Sequence, residues 1–495
     1  MRSQVTIVVV PRERFSFAQR SLMNIYENTV SPFELIYIDA GGPAPLRTFL
    51  KEESQRRGFS LISVDCYLSP NRARNLGWRD VKTKYTVFID NDALVKPGWL
   101  EALVRCADET DAWIVGPLYL IGELEKQTIH MAGGTLHIKE HQGKRILYDE
   151  QYLFETKIDQ VRDRLEPREW DYAEFHCMLV RTDVLQRLGP LDENLLSLHE
   201  HIDVCMAVRG AGGSVYIEPR AVTSYVPSPP YEWSDVPYFM LRWSEVWNLA
   251  TVRHFNSKWS VSALRWFGEK SVPESEETVI KFARGHRRFM TGLTAPNDEP
   301  VYQPGLPQEQ AELMVAMFLS VDRDRFDLTL ASTKDDPPIE SWKNLNAQET
   351  FDKLPDLLRL AAQRRCGILL RPLSRVRAND PTLICLEMVG AEAMGRIRPF
   401  AFLTLEPLPQ RYQCWLAVDA GNWRSVAALR KLVQPTPAAV CAYLAGSACV
   451  VGDSVDTSGD GKPVKLVEAV TGRVVSVSQL ERSEVISYLS AGHAL

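Results

Sequence analysis

"KYTVFIDNDALVKPGWLE" runs from Lys84 to Glu101 and holds the turn on which the fold is decided. Its apolar run, Tyr85 to Ile89, has the pattern of a buried strand and stops at Asp90-Asn91-Asp92. Asp and Asn are ordinary turn residues, and an isolated Asp-x-Asp is more often a turn than a site. In an extended segment, however, residues i and i+2 point the same way. Two carboxylates on one side of a strand end repel each other unless donors or a cation compensate them. Mg2+ and Mn2+ take oxygen ligands of this kind, with substrate phosphates and water completing the shell.

Working outward, strands and helices alternate. "VTIVVV" (5–10), "FELIYID" (33–39), "FSLISVD" (59–65) and "AWIVGP" (112–117) are further strand candidates. Ser16 and Gln19 have capping-box spacing, and Ala18, Leu22, Ile25 and Tyr26 recur at helical spacing. "PLRTFLKEESQRRG" (45–58) is expected to be a helix that opens with Pro and stops at Gly58, and "NRARNLGWRD" (71–80) a short one. This βαβαβ rhythm predicts a Rossmann-like α/β fold, a mostly parallel sheet flanked by helices. Asp39, Asp65 and Asp90 each end a strand, and open α/β sheets bind ligands beyond the carboxyl ends of their strands. No G-x-G-x-x-G or G-x-x-x-x-G-K-[ST] follows any strand, so dinucleotide and P-loop chemistry lose their main support.

The bulk numbers set the class. The chain has 495 residues, enough for two to four domains, and 45% hydrophobic and 24% charged residues, a globular balance. A net charge of −6 gives no electrostatic footprint for nonspecific nucleic-acid binding. Nine cysteines without a C-x-x-C pair suit free thiols in a reducing compartment. "MRSQVTIVVVPRERF" does not have the form of a signal peptide, and no segment approaches a membrane span. The expectation is a soluble, cytoplasmic protein. The aromatic stretch 231–259, with Trp233, Trp243, Trp247 and Trp259, leaves peripheral membrane contact or sugar stacking open, although a packed helix explains it better.

The residues around the opening turn resemble the family-two glycosyltransferases of the GT-A fold, over roughly the first 260 residues. "FELIYIDAGG" is similar to the strand that brings a carboxylate to the base of a nucleotide sugar; Asp39 fits, with Ala40 where a second acid is usual. "NRARNLGW" matches an Asn-x-x-x-Arg-Asn element through Asn71, Arg74 and Asn75, and "FIDND" matches the D-x-D. The resemblance implies that Asp39, Asn71, Arg74, Asn75 and Asp90 bind the donor, with Asp90 at the ribose. It further implies that Asp92, with Asp90, serves the Mn2+ or Mg2+ that bridges the diphosphate of a UDP- or GDP-sugar.

"HMAGGTLHI" (130–138) looks like the family's Gly-Gly segment, and residues 174–222 resemble its acceptor half. Arg181, "GPLDE" with Asp192 and Glu193, and Glu200-His201-Ile202-Asp203 appear there in the family's order. The resemblance implies an inverting displacement at the anomeric carbon, with a single base acting on a glycan, lipid or protein hydroxyl. His201 occupies the place of the usual basic carboxylate, so Glu200, His201 and Asp203 are all candidate catalytic residues, Glu200 being favoured. A metal-binding His is frequent where this chain has Tyr225, and His176 is a substitute candidate.

A GT-A domain is expected over residues 1–293, a linker over "TAPNDEPVYQPGLPQEQ" (294–310), and a C-terminal α+β domain over 311–495. In the latter, "PDLLRLAAQRRCG" (355–367) is a helix candidate; "GILLRPL", "TLICLEMV", "RPFAFLTLE" and "YQCWLAV" are strand candidates. Residues 398–418 are similar to a piece of RepB-like replication primases through Thr404, Tyr412, Gln413 and Trp415, and "AAVCAYLAGS" loosely follows suit. Glu387 stands alone where paired aspartates would be needed, so primase activity is not expected, and the acidic balance speaks against nucleic acid as a partner. Two other functions stay open: a degenerate transferase that binds nucleotide or glycan without turnover, and a nucleic-acid-binding C-terminal domain.

Overall fold

The apolar runs of the first third line up as the centre of a large sheet. In the computed structural model, the described residues are 3–141, 143–227, 231–267, 270–273, 275–290, 307–332, 337–373, 380–419, 442–444, 447, 463–483 and 485. The chain divides into two compact units: Met1–Asp235 with Trp247–Phe282, and Val236–Val246 with Ala283–Leu495. The expected linker lies outside the described residues as far as 306, and residues 307–310 open the helix Pro307–Ser320.

In the first unit the strands are β1 (Val5–Val10), β2 (Phe33–Ala40), β3 (Ser60–Val64), β4 (Tyr85–Asp90), β5 (Ala93–Val95), β6 (Ile114–Ile121), β7 (Ile129–Met131), β8 (Gly134–His141), β9 (Lys144–Gln151), β10 (Arg168–Trp170), β11 (Cys177–Arg181) and β12 (Val215–Tyr225). The main sheet runs β10-β12-β6-β11-β4-β1-β2-β3, with β5 on β12 and β7 on β6. Pairings β3–β2, β2–β1, β1–β4 and β6–β12 are parallel, whereas β11 lies antiparallel between β4 and β6. The result is a mixed, mostly parallel sheet of GT-A type. Every residue of β1 and β4 is buried, which is why both read as unbroken apolar runs instead of alternating ones. Each Val or Ile there contributes roughly 1.5–3 kcal/mol.

The helix Pro70–Trp78 packs on β1 at Gly77, where an added Cβ would lie 2.2 Å from Val8 Cγ1. That close approach brings the helix's inner face, with Asn71, Arg74 and Asn75, into the core. The helix Ala44–Arg57 ends at Gly58 in a left-handed conformation (φ +76°), as its sequence predicts. Ser16 is no helix cap: it sits in a 3-10 turn, Phe15–Phe17, and its N–H and hydroxyl both donate to Asp235, at 2.9 and 2.7 Å. The carboxylate, remote in sequence, offers a stronger acceptor than the helix end does a donor.

Beyond β6 the chain forms the hairpin β8–β9 and the short strands β7 and β10. Trp233 and Trp247 are buried in this unit, so the aromatic stretch there is core and not a stacking surface. Among the described residues no helix is long and apolar enough to cross a membrane.

The second unit is α+β. One antiparallel sheet joins Glu340–Asn346, Arg325–Ala331, Gly367–Pro372 and Ala442–Tyr443; the other joins Thr382–Gly390, Arg411–Val418, Leu403–Leu408 and Lys465–Ala469. The helix expected to begin at Pro355 begins eight residues earlier, at Ala347, and carries Pro355 inside. Asn346 and Glu349 form a capping box there, and Thr350, Phe351, Leu354, Leu357 and Ala361 bury one face. Capping and burial together outweigh the roughly 3 kcal/mol cost of an interior proline. Of the residues of the primase likeness, Thr404, Gln413 and Trp415 are buried in the sheet core and Tyr412 is half-buried. Most of "AAVCAYLAGS" lies outside the described residues; only 442–444 and 447 are inside.

Candidate active site

The site forms where β1, β2 and β4 end together. Asp39 and Asp90 close the strands on either side of β1, with Val10 in register with Asp90. At the usual strand spacing their backbones stand roughly 10 Å apart.

Asp39 is buried, and its Oδ1 accepts the Gly42 N–H at 3.0 Å. A Cβ on Gly42 would fall 2.4 Å from that oxygen, so the turn needs glycine here. Among the described residues no hydrogen bond reaches Oδ2; Arg47 Nε stands 3.6 Å from it. Burial raises the Asp39 pKa, and Arg47 only partly opposes this.

Asp90 is the opposite case. Arg74 Nη2 donates to Oδ1 at 3.2 Å, and His176 Nδ1 lies 3.1 Å from Oδ2. Arg12 Nε stands 3.5 Å from the same Oδ2. Burial pushes the carboxyl pKa up, but Arg12, His176 and Arg74 outweigh it and hold it at about 2. Arg74 is fully buried over the Phe175 ring, 3.8 Å from its centroid, and burial lowers its pKa to about 10. Asn91 orders the turn: its Oδ1 accepts the Arg12 N–H at 2.8 Å, and its own N–H donates to Val10 O at 2.9 Å. Asp92 is buried immediately before β5, and its carbonyl accepts the Val226 N–H at 3.4 Å.

Asn71 and Asn75 face the other way. Asn71 donates to Asp192 O at 2.9 Å; Asn75 donates to Leu191 O and Glu193 Oε1 and accepts the Leu191 N–H and the Trp78 indole N–H. They fasten the "GPLDE" loop to the core.

On the acceptor side the helix Glu200–Gly210 begins after His199, whose backbone is left-handed (φ +61°). Glu200 is buried, with Oε1 3.5 Å from Arg12 Nη1. Arg12 therefore faces both Asp90 and Glu200, a link that no sequence motif signals. Asp203 accepts from Lys258 Nζ and Trp259 Nε1, each at 2.8 Å. Lys258 also reaches Asp192 at 2.9 Å, and His254 reaches it at 2.8 Å. His201 is half-buried beside the Tyr172 ring, and burial lowers its pKa against the pull of Glu174 and Glu200.

Tyr225 stacks flat on His176, with centroids 4.0 Å apart and planes at 3°. His130, Glu174 and His176 gather beside it. His176 is legible as a candidate from its position; His130 and Glu174 are not, because 44 residues of loop and hairpin separate them in sequence.

With this geometry in place, the chain can be set beside known proteins. Residues 6–189 match the model of glycosyl transferase family 2. That segment contains Asp39, the Asn71–Asn75 helix and the Asp90–Asp92 turn, and it ends before Glu200. The likeness of residues 398–418 to RepB-like primases has no counterpart in the match. Among solved structures the chain is similar to GalNAc-T7 with UDP, GalNAc and Mn2+ (TM-score 0.36, 16% identity, 58% of this chain and 55% of that one). It is also similar to S. aureus TarS 1-349 in complex with UDP (TM-score 0.31, 12% identity, 51% of this chain and 72% of that one). The chain thus spans about half of the first of these. No curated protein matches it.

Proposed function

We propose that the first unit transfers a sugar from a nucleoside-diphosphate donor to a hydroxyl acceptor, with inversion. The observation that carries this is the set of carboxylates at the ends of β2 and β4, on either side of β1: Asp39 and the Asp90–Asp92 turn, inside the family 2 segment. The Asp39 Oδ2 is a buried acceptor without a hydrogen bond among the described residues, and a buried acceptor left unpaired costs about 1–3 kcal/mol. A base that presents N–H donors, uracil or guanine, would satisfy it, which favours a UDP- or GDP-sugar.

Both Asp90 oxygens are engaged by Arg74 and His176, so Asp92 is the better carboxylate of the two for Mn2+ or Mg2+. A divalent ion held there supplies charge neutralisation of the leaving diphosphate. Arg12 adds a positive charge at the same strand ends and, through Glu200, links donor and acceptor sides. Glu200 is the base that takes the acceptor proton; it lies buried in the first turn of its helix, beside Arg12. His201, kept neutral by burial, is a weaker candidate, and Asp203 serves to position the helix. A single base acting on the face opposite the leaving group makes the displacement in line and inverts the anomeric centre. The acceptor is a hydroxyl of a glycan, lipid or protein.

Nucleoside diphosphate release from a panel of UDP- and GDP-sugars with Mn2+ tests the proposal. Release by the wild-type chain and a loss of about a thousandfold in Asp92→Ala are expected. If no donor is turned over and Asp92→Ala binds nucleotide as tightly as wild type, the chain is a binding protein instead.

A further inference from the structure

His130 lies in β7, and Glu174 and His176 lie two residues apart in the segment just before β11. One ligand atom from each lies within 4.8 Å of the others. Glu174 Oε2 is 3.0 Å from His130 Nε2 and 3.6 Å from His176 Nε2. Donor atoms about 2.0–2.2 Å from one tetrahedral ion are separated by roughly 3.4 Å, so these distances bracket a shared cation.

A second observation concerns the Glu174 carboxylate. His176 Nδ1 lies 3.1 Å from Asp90 Oδ2, and its Nε2 lies 3.6 Å from Glu174 Oε2. Gln151 donates to the other Glu174 oxygen, Oε1, at 3.1 Å. Oε2 is buried, and among the described residues it receives no aligned hydrogen bond. The Asp90 contact and the flat Tyr225 ring fix the imidazole plane, as an outer shell does in metal–histidine sites.

We infer that His130 Nε2, Glu174 Oε2 and His176 Nε2 bind one divalent transition ion of the zinc or cobalt type. Two imidazoles and a carboxylate suit such an ion and disfavour Mg2+. Three protein ligands leave an open coordination position. The site uses none of the oxygens of Asp92 and does not depend on the transferase proposal, which nucleoside diphosphate release tests separately.

The test is cobalt binding by the full-length chain after chelator treatment and dialysis. One equivalent of Co2+ should give visible d–d bands of a four-coordinate N/O site. Zn2+ should displace it, and millimolar Mg2+ should not. His130→Gln and Glu174→Gln should each weaken binding by at least about a hundredfold, while Asp92→Asn changes it less than about threefold. Anomalous scattering at the cobalt edge from wild-type crystals should place the ion between these three side chains, independently of how the variants fold. Absence of cobalt binding, an ion located elsewhere, or a signal lost in Asp92→Asn and kept in His130→Gln would overturn the inference.

Discussion

Glu200 and Asp203 sit one helical turn apart and have opposite surroundings. Glu200 looks across the strand ends at Arg12, which also faces Asp90. Asp203 is fastened by Lys258 and Trp259, and Lys258 and His254 fasten Asp192 beside it. The first carboxylate shares its arginine with the donor side; the second is saturated by donors from a single helix. A similar division separates Asp39 from Asp90, one with an oxygen that accepts no hydrogen bond among the described residues and one fully compensated. Acidic residues in one motif thus divide into those placed to meet substrate and those that hold the frame.

The sharpest way to break this comparison is to remove each carboxylate's charge in turn. Glu200→Gln should lower kcat about a thousandfold, near 4 kcal/mol of barrier, without moving the urea midpoint. Asp203→Asn should retain activity within about tenfold; the reverse pattern would make Asp203 the base.

Acid should act through Asp90 next. Its folded pKa, about 2, lies below the unfolded value of about 3.9. Its contribution is therefore present above the unfolded value and lost as pH falls through the folded one. Roughly 2 kcal/mol of stability should disappear between about pH 4 and pH 2, and less should disappear in Arg12→Met. Urea denaturation across that range measures it.

The smallest effect is expected at Lys258, which is a third exposed. Lys258→Met should cost about 1 kcal/mol, read as a shift of the urea midpoint, with kcat nearly unchanged. A large loss of kcat would instead join the Asp192–Asp203 network to the chemistry.

The strands of the first unit and their succession along the chain are legible in the residues alone. Fully buried strands such as Val5–Val10 and Tyr85–Asp90 need unbroken apolar runs, and ligand-facing ends need a change to polar residues. The second unit is less legible. The helix over Ala347–Arg364 hides its start behind Pro355, and the strand Glu340–Asn346 carries no clear alternation.

Residue type and spacing along the chain determine where the carboxylates stand, because backbone geometry is local. Packing assigns their partners, because Arg12, Glu174, His130 and Lys258 reach the site across distances that sequence does not encode. By sequence, Asp90 and Asp92 are one pair at a strand end. Folding separates their surroundings by bringing Arg74 from one helix and His176 from beside the neighbouring antiparallel strand onto Asp90.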